Sequence, residues 1–101
     1  MARQVIWTER AQNERISILS FWNSHNKSTN YSKKLHSSIK ESLQLICKYP
    51  LIGKQTNKEK VRIKILREYL IIYEITASEI IVLSFWDCRQ NPKDLNRLPK
   101  Y

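Results

Sequence analysis

The spacing of apolar residues near the start of the chain predicts a short strand followed by a helix. An apolar stretch, Gln4–Trp7, precedes Thr8, whose hydroxyl is well suited to cap a helix N-terminus. Glu9 follows in the first turn, where the positive end of the helix dipole favours a carboxylate. Apolar residues then recur at helical spacing, so the helix is expected to run to about His25.

A second helix is predicted after a polar break at residues 26–30. Its apolar residues recur three or four positions apart, while lysines occupy the other face. Helical geometry is disfavoured before Pro50, so the helix should end near Tyr49. Gly53, the only glycine of the chain, is expected to adopt a positive φ in the following turn. The apolar stripe consists of Leu35, Ile39, Leu43 and Ile46.

The period of the pattern changes from 3.6 to 2 after a basic loop. Apolar residues alternate with cations over residues 61–65, which predicts a half-buried strand. We expect Val61, Ile63 and Ile65 to point at the helices. Arg62 and Lys64 then project together from the open face of the sheet.

Two further strands are predicted from β-branched and aromatic residues, at residues 69–75 and 80–86. The element order is therefore β-α-α-β-β-β, and the short turns between the last three strands favour an antiparallel sheet with both helices on one face. The fold class is α+β. The length of 101 residues fits one domain, 1–101, with a polar and irregular tail from about residue 90.

The charge of the chain narrows the choice of partners. Lys and Arg outnumber Asp and Glu by 18 to 9, which gives a formal charge of +9. A domain this basic attracts nucleic acid, a ribosome, an anionic membrane surface or an acidic protein, although scattered lysines usually form a solvated surface. No apolar run approaches the ~20 residues that span a bilayer. We expect a cytoplasmic protein with no membrane association.

Metal and cofactor chemistry are not indicated. A single glycine excludes a Gly-rich phosphate loop, and the nine acids are scattered among basic residues. His25 and His36 lack the spacing of metal ligands. The sequence shows no secretion signal, so Cys47 and Cys88 are expected to stay reduced rather than to form a disulfide. The sequence therefore predicts no metal, no cofactor and two reduced thiols.

The candidate chemistry is cationic. Fixed guanidinium and ammonium groups on neighbouring strands could bind a phosphate backbone and stabilise a pentacoordinate phosphate transition state. Tyr69 and Tyr73 share one strand and could stack on bases or donate a proton, although such aromatic residues more often belong to a core. The cations are Arg62, Lys64, Arg67 and Arg89.

Several segments, taken together and in this order, resemble the toxins of the RelE/ParE superfamily. They are Val-Ile-Trp-Thr at 5–8 with Ala11, Pro-Leu-Ile-Gly at 50–53, the hairpin segments 61–65 and 69–73, and the last strand with its arginine at 81–89. The resemblance covers about residues 4–95. It implies the toxin of a type II toxin–antitoxin module, which inhibits bacterial growth and is neutralised by a cognate antitoxin whose C-terminal segment wraps around it.

The resemblance implies one of two activities. RelE-like toxins cleave mRNA in the ribosomal A site without metal, whereas ParE-like toxins poison DNA gyrase and are not enzymes. Arg62 and Lys64 fall at the RelE basic positions on the first hairpin strand, and Arg89 falls at the arginine after the last strand. These three catalytic candidates slightly favour a metal-independent, ribosome-dependent mRNA endonuclease.

Two departures from the RelE pattern leave the choice between the two activities open. Leu70 stands where RelE-like toxins carry an arginine, and Tyr101 is the only candidate for their late tyrosine or histidine. Strand alternation puts Leu70 and Ile72 on the open face beside the cations, where exposed apolar side chains would bind the antitoxin. The long helical hairpin is also more typical of ParE. A small basic nucleic-acid-binding module without toxicity is a more remote alternative.

Overall fold

The chain forms two helices packed on one face of a five-stranded mixed sheet in the computed structural model, which describes residues 3–25 and 30–88. The elements are β1 (Gln4–Trp7), α1 (Glu9–His25), α2 (Asn30–Lys48), a 3₁₀ turn (Pro50–Ile52), β2 (Lys54–Gln55), β3 (Val61–Leu66), β4 (Tyr69–Ile75) and β5 (Glu79–Asp87). The strand order is β1-β5-β4-β3-β2, in which β1 runs parallel to β5 and the other neighbours are antiparallel.

This architecture confirms the α+β class and the packing of both helices on one face of a mainly antiparallel sheet. Two elements go beyond the predicted order. The 3₁₀ turn follows α2, and β2 occupies the start of what was expected to be a basic loop. The tail predicted to be irregular begins outside the described residues.

The start of α1 follows the capping chemistry that the sequence predicts. The Thr8 hydroxyl accepts a hydrogen bond from the Ala11 amide at 3.1 Å, which satisfies one of the free donors of the first turn. The Thr8 amide donates to the Val82 carbonyl, also at 3.1 Å. One residue therefore ends the pairing of β1 with β5 and begins the helix.

The second helix buries the predicted stripe against α1 and the sheet. The Ser32 hydroxyl donates to the Leu19 carbonyl of α1 at 3.1 Å, and the rings of Trp22 and Tyr31 lie 4.5 Å apart. These contacts fix the two helices to each other near the connection between them. The buried stripe residues of α2 are Leu35, Ile39, Leu43 and Ile46.

A carboxylate holds α1 to β5. Glu14 accepts hydrogen bonds from the Ser84 hydroxyl at 2.8 Å and from the Phe85 amide at 3.3 Å. Its side chain also lies 3.6 Å from the guanidinium of Arg10, one helical turn earlier. Because the Ser84 side chain is fully buried, this contact satisfies a polar group that would otherwise be unpaired.

Strand β4 is buried on both of its faces. Every residue from 69 to 73 has at most 3% of its surface exposed. Tyr69, Ile71 and Tyr73 pack in the core beneath the helices, whereas Leu70 and Ile72 belong to a separate cluster on the other face. The sheet therefore has an apolar core on each side, although the helices cover only one of them.

The predicted orientation of β3 is wrong. Val61 and Ile63 point away from the helices and join the second cluster, and Ile65 is 59% exposed. Alternation shows which side chains share a face, but it does not show which face the helices cover. The buried residues of the second cluster are Val61, Ile63, Leu70, Ile72 and Trp86, with Leu83 partly buried beside them.

Arg62 and Lys64 consequently lie on the helix side of the sheet. Residues paired across antiparallel strands project from the same face. Arg62 is paired with Tyr73 and Lys64 with Ile71, both of which belong to the core beneath the helices. The two cations do share a face, as predicted, but it is the opposite face from the one expected.

Gly53 is required for close packing rather than for an unusual backbone angle. Its φ is −73°, so the expectation of a positive φ is wrong. A Cβ at this position would overlap the Tyr73 hydroxyl oxygen and lie 2.9 Å from Cε1 of the same ring. The Tyr73 ring is fully buried and cannot move aside cheaply. Within residues 3–25 and 30–88, the positive φ belongs to Arg67, at 56° in the β3–β4 turn.

We expect Gly53→Ala to destabilise the protein by about 1–3 kcal/mol, because it overpacks the Tyr73 site. Urea unfolding of the variant and the wild type measures this difference. The matched test is a double-mutant cycle with Tyr73→Phe, which removes the overlapping oxygen and should reduce the cost of the alanine. An alanine cost that is the same in both backgrounds would contradict this account.

Candidate functional site

Arg62 holds the turn after α2 to the sheet. Its Nη1 donates to the carbonyl oxygens of Leu51 at 3.1 Å and Gly53 at 2.8 Å. Its Nε is buried and has no hydrogen-bond partner. This guanidinium therefore stabilises two backbone carbonyls of the 3₁₀ turn region, and its predicted catalytic role stays a prediction.

Of the predicted cations that the structure describes, Lys64 and Arg67 are not gathered around the Arg62 guanidinium. Lys64 is two residues further along β3 and partly buried, whereas Arg67 is exposed in the turn beyond the end of that strand. Arg89, the third catalytic candidate, lies outside the described residues, as does Tyr101. The described part of the chain thus brings together only Arg62 and Lys64 on one face.

Tyr69 and Tyr73 are core residues. Neither has exposed surface, so their rings are not available to stack on bases in this structure, and their role in RNA or target binding stays a prediction. The Tyr69 ring stacks on Phe85 at 5.1 Å, and its hydroxyl accepts a hydrogen bond from Trp22 Nε1 at 2.6 Å. Both tyrosines tie the sheet to elements of the helical layer.

The Tyr73 hydroxyl, like the Arg62 guanidinium, holds the turn after α2 to the sheet. It donates to the Pro50 carbonyl at 2.7 Å and accepts from the Gly53 amide at 3.0 Å. Burial raises the pKa of Tyr73 above its usual 10.0, and the Gly53 hydrogen bond and the Arg62 charge oppose that rise. The phenol therefore remains a neutral donor, as its bond to a carbonyl requires.

Leu70 and Ile72 face away from the helices, as predicted, but the expectation that they lie beside Arg62 and Lys64 is wrong, because those cations are on the opposite face of the sheet. The two apolar side chains are not exposed either. Their exposed fractions are 3% and 0%. Both pack in the second cluster, where Leu70 is paired with Trp86 across β4 and β5. The predicted exposure of an apolar docking surface at these two residues is therefore wrong, and their role in antitoxin binding stays a prediction.

A groove that sequence reasoning missed lies between β1 and the helices. It encloses about 840 Å³. Val5 and Trp7 of β1 form one apolar wall, and Ile39, Leu43 and Cys47 of α2 form the other. Cys47 is a free thiol in this wall, and burial raises its pKa while the charge of Arg3 lowers it.

The rim of this groove is cationic. Arg15 lies over the Trp7 ring at 4.4 Å, and its Nη2 donates to Gln12 Oε1 at 2.6 Å. The Arg15 Nε is buried without a hydrogen-bond partner. Among the described residues that line the groove, none is acidic. The basic and histidine residues of the lining are Arg3, Arg15, His36, Lys40 and Lys48.

The groove runs beside an open sheet edge. In the described part of the chain, β1 is paired only with β5. The amides of Gln4 and Thr8 donate to carbonyls of Ser78 and Val82 on that side. Amides alternate in direction along a strand, so those of Val5 and Trp7 point to the open edge. The edge can accept one more strand.

The sequence contained part of the signal for this groove. Val5 and Trp7 lie in an apolar run with Ile6, and Lys40, Gln44 and Lys48 follow one another at intervals of four on α2. Neither pattern shows that β1 and α2 lie side by side. That proximity arises only because β1 pairs with β5 at the sheet edge.

Over the described ranges, no group of three or more His, Cys, Asp or Glu side chains is arranged to hold a metal ion. Neither helix in those ranges is long and apolar enough to cross a membrane. Cys47 and Cys88 are both free.

The fold is also found in a solved structure of a different protein. A solved structure described as a chromosomal ParDE TA system from P. aeruginosa superposes with a TM-score of 0.71. The match covers 85% of this chain and 96% of that one at 16% sequence identity, so it shows the fold alone. No curated protein sequence matches the chain.

The sequence also matches the family model for the ParE toxin of type II toxin–antitoxin systems, parDE, over residues 5–92. The chain therefore belongs to the ParE toxin family, and the predicted membership of the RelE/ParE superfamily is confirmed. It is the toxin component of a type II module, and its partner is an antitoxin.

The raised pKa of Tyr73 predicts a loss of stability in alkaline solution. The folded state holds the phenol proton more tightly than the unfolded state, so the free energy of unfolding should fall as the pH rises above about 10. Urea unfolding between about pH 9 and 11 measures this fall. Tyr73→Phe removes the titrating group and should flatten it; parallel pH curves for the two proteins would contradict the prediction.

Proposed function

We propose that this ParE-family toxin inhibits bacterial growth by binding DNA gyrase in the cytoplasm rather than by cleaving RNA. Membership of the ParE family supports this proposal. The observation that carries it further is the engagement of Arg62. Its guanidinium is occupied by the carbonyls of Leu51 and Gly53, on the face of the sheet that the helices cover.

The mRNA endonuclease receives less support. General acid–base groups must reach the substrate. Tyr69 and Tyr73 are fully buried, and Leu70 is a buried leucine where RelE-like toxins carry an arginine. Four residues of the described strands were candidates for RNA chemistry: Arg62, Lys64, Tyr69 and Tyr73. Among them, Lys64 is the one that is partly exposed and has no described hydrogen bond to the backbone.

The same protein is proposed to be neutralised by an acidic antitoxin segment in the β1–α2 groove. The cationic rim complements acidic residues, and the apolar walls complement aliphatic ones. This groove suits an antitoxin better than Leu70 and Ile72, because those two side chains are already buried.

We expect the purified toxin to inhibit gyrase supercoiling and to accumulate gyrase-cleaved DNA, while mRNA in a defined translation reaction stays intact. Lys64→Ala distinguishes mRNA cleavage from gyrase inhibition. If the toxin did cleave mRNA with the help of Lys64, this variant would lose that cleavage. Ribosome-dependent cuts at codon spacing, together with normal supercoiling, would overturn the gyrase proposal and favour the endonuclease.

A charge reversal in the groove should weaken antitoxin binding. Lys40→Glu places a carboxylate on the groove rim, so we expect at least a tenfold higher Kd for the antitoxin and a smaller effect at high salt. The matched control is Lys34→Glu, an exposed lysine on the same helix that does not line the groove. Calorimetric titration measures both, and equal losses would show that net charge alone is responsible.

A further inference from the structure

Positive charge is concentrated at the sheet edge opposite the groove. Residues 54–64, which run from β2 into β3, carry five of the 18 Lys and Arg residues of the chain and one of its nine Asp and Glu residues. Three of the lysines, Lys54, Lys58 and Lys60, are exposed, and Lys64 is partly exposed. The single acid is Glu59. We name these residues, 54–64, the basic edge.

The loop of the basic edge has a defined shape. The Thr56 hydroxyl accepts from the Lys58 amide at 3.1 Å and lies 2.8 Å from the Val61 carbonyl, to which it donates. The Lys60 carbonyl accepts from the Ile75 amide of β4 at 2.9 Å. These bonds fix the backbone that carries Lys58 and Lys60, so less conformational entropy is lost when a ligand binds.

Arg62 braces the base of the same edge. Its two hydrogen bonds hold the carbonyls of Leu51 and Gly53 immediately before β2. Its guanidinium is thereby committed to the protein, whereas Lys58 and Lys60 carry exposed ammonium groups on the same edge. Lysine binds phosphate as a point charge without a demand for one geometry.

The chemistry of the basic edge favours a phosphate backbone over single-stranded bases. Proteins that bind single strands stack bases on exposed aromatic rings. No residue from 54 to 64 is aromatic, and the nearby Tyr69 and Tyr73 are fully buried. We propose that the basic edge binds the phosphodiester backbone of duplex DNA without reading its sequence.

This inference rests on the proposed function in one respect. Gyrase acts on DNA, so a toxin bound to gyrase meets a duplex at close range, and contacts from the basic edge would add to its hold on that complex. The edge lies at β2 and the antitoxin groove lies at β1, the two opposite ends of the sheet. The two surfaces therefore do not overlap.

The test measures the affinity of the purified toxin for a fluorescein-labelled DNA duplex by anisotropy between about 50 and 200 mM salt, with no gyrase present. Contacts from four lysines predict a slope of log K against log salt of about −3 to −4. Lys58→Gln/Lys60→Gln should weaken binding at least tenfold and reduce the steepness of the slope by about 2. The control, Lys33→Gln/Lys34→Gln on α2, removes the same charge and should change the affinity by less than about twofold.

Three results would overturn the proposal: a salt slope flatter than about −1, equal losses for the two double variants, or tighter binding of a single-stranded RNA of the same length. Equal losses would mean that the whole charge of the chain attracts DNA. Because gyrase is absent, these outcomes are independent of the supercoiling assay. A toxin that inhibits gyrase but fails here retains its proposed function and loses only the basic edge as a DNA site.

Discussion

The burial of β4 on both faces is the constraint on which the rest of the structure depends. Five consecutive residues, 69–73, have almost no exposed surface, so each face of the central strand needs an apolar cover. The helices supply one cover, and their stripe packs on Tyr69, Ile71 and Tyr73. The register with β3 then determines that Arg62 lies over Tyr73 on the helix side. Arg62, which the sequence places on an open cationic face, therefore holds the backbone of the turn after α2 instead.

The contacts of Arg62 and Tyr73 with the turn after α2 limit which parts of the sheet are free to bind partners. Arg62 and the Tyr73 hydroxyl together hold the backbone between Pro50 and Gly53, and Gly53 packs directly against the Tyr73 ring. The centre of the sheet is therefore committed to stability on the face that the helices cover. The features suited to partners lie at its two ends: a cationic groove beside β1 and a basic edge at β2 and β3.

The fold was predictable from local patterns because each helix and long strand has its own signal. Thr8 caps α1 as expected, Pro50 limits α2, and the strand predicted at residues 69–75 matches β4. The short strand β2 has no such signal and was not predicted. It has two residues, and its pairing with β3 depends on contacts between separate chain segments. Gly53 was correctly chosen as a special position, but the reason is a neighbouring ring rather than its φ, and only the packed structure supplies that ring.

The sequence by itself determined the fold class, the number and order of the long elements, and the family, because these follow from periodicity, caps and turn residues that act over a few positions. It also determined that Arg62 and Lys64 share a face, since alternation is a local property of a strand. Only the tertiary structure decided which face that is, because both faces of β4 are apolar and either could have received the helices. It also created the groove, whose walls are β1 and α2, by pairing the first strand with the last. Surfaces built from distant segments depend on that pairing, and no local pattern records it.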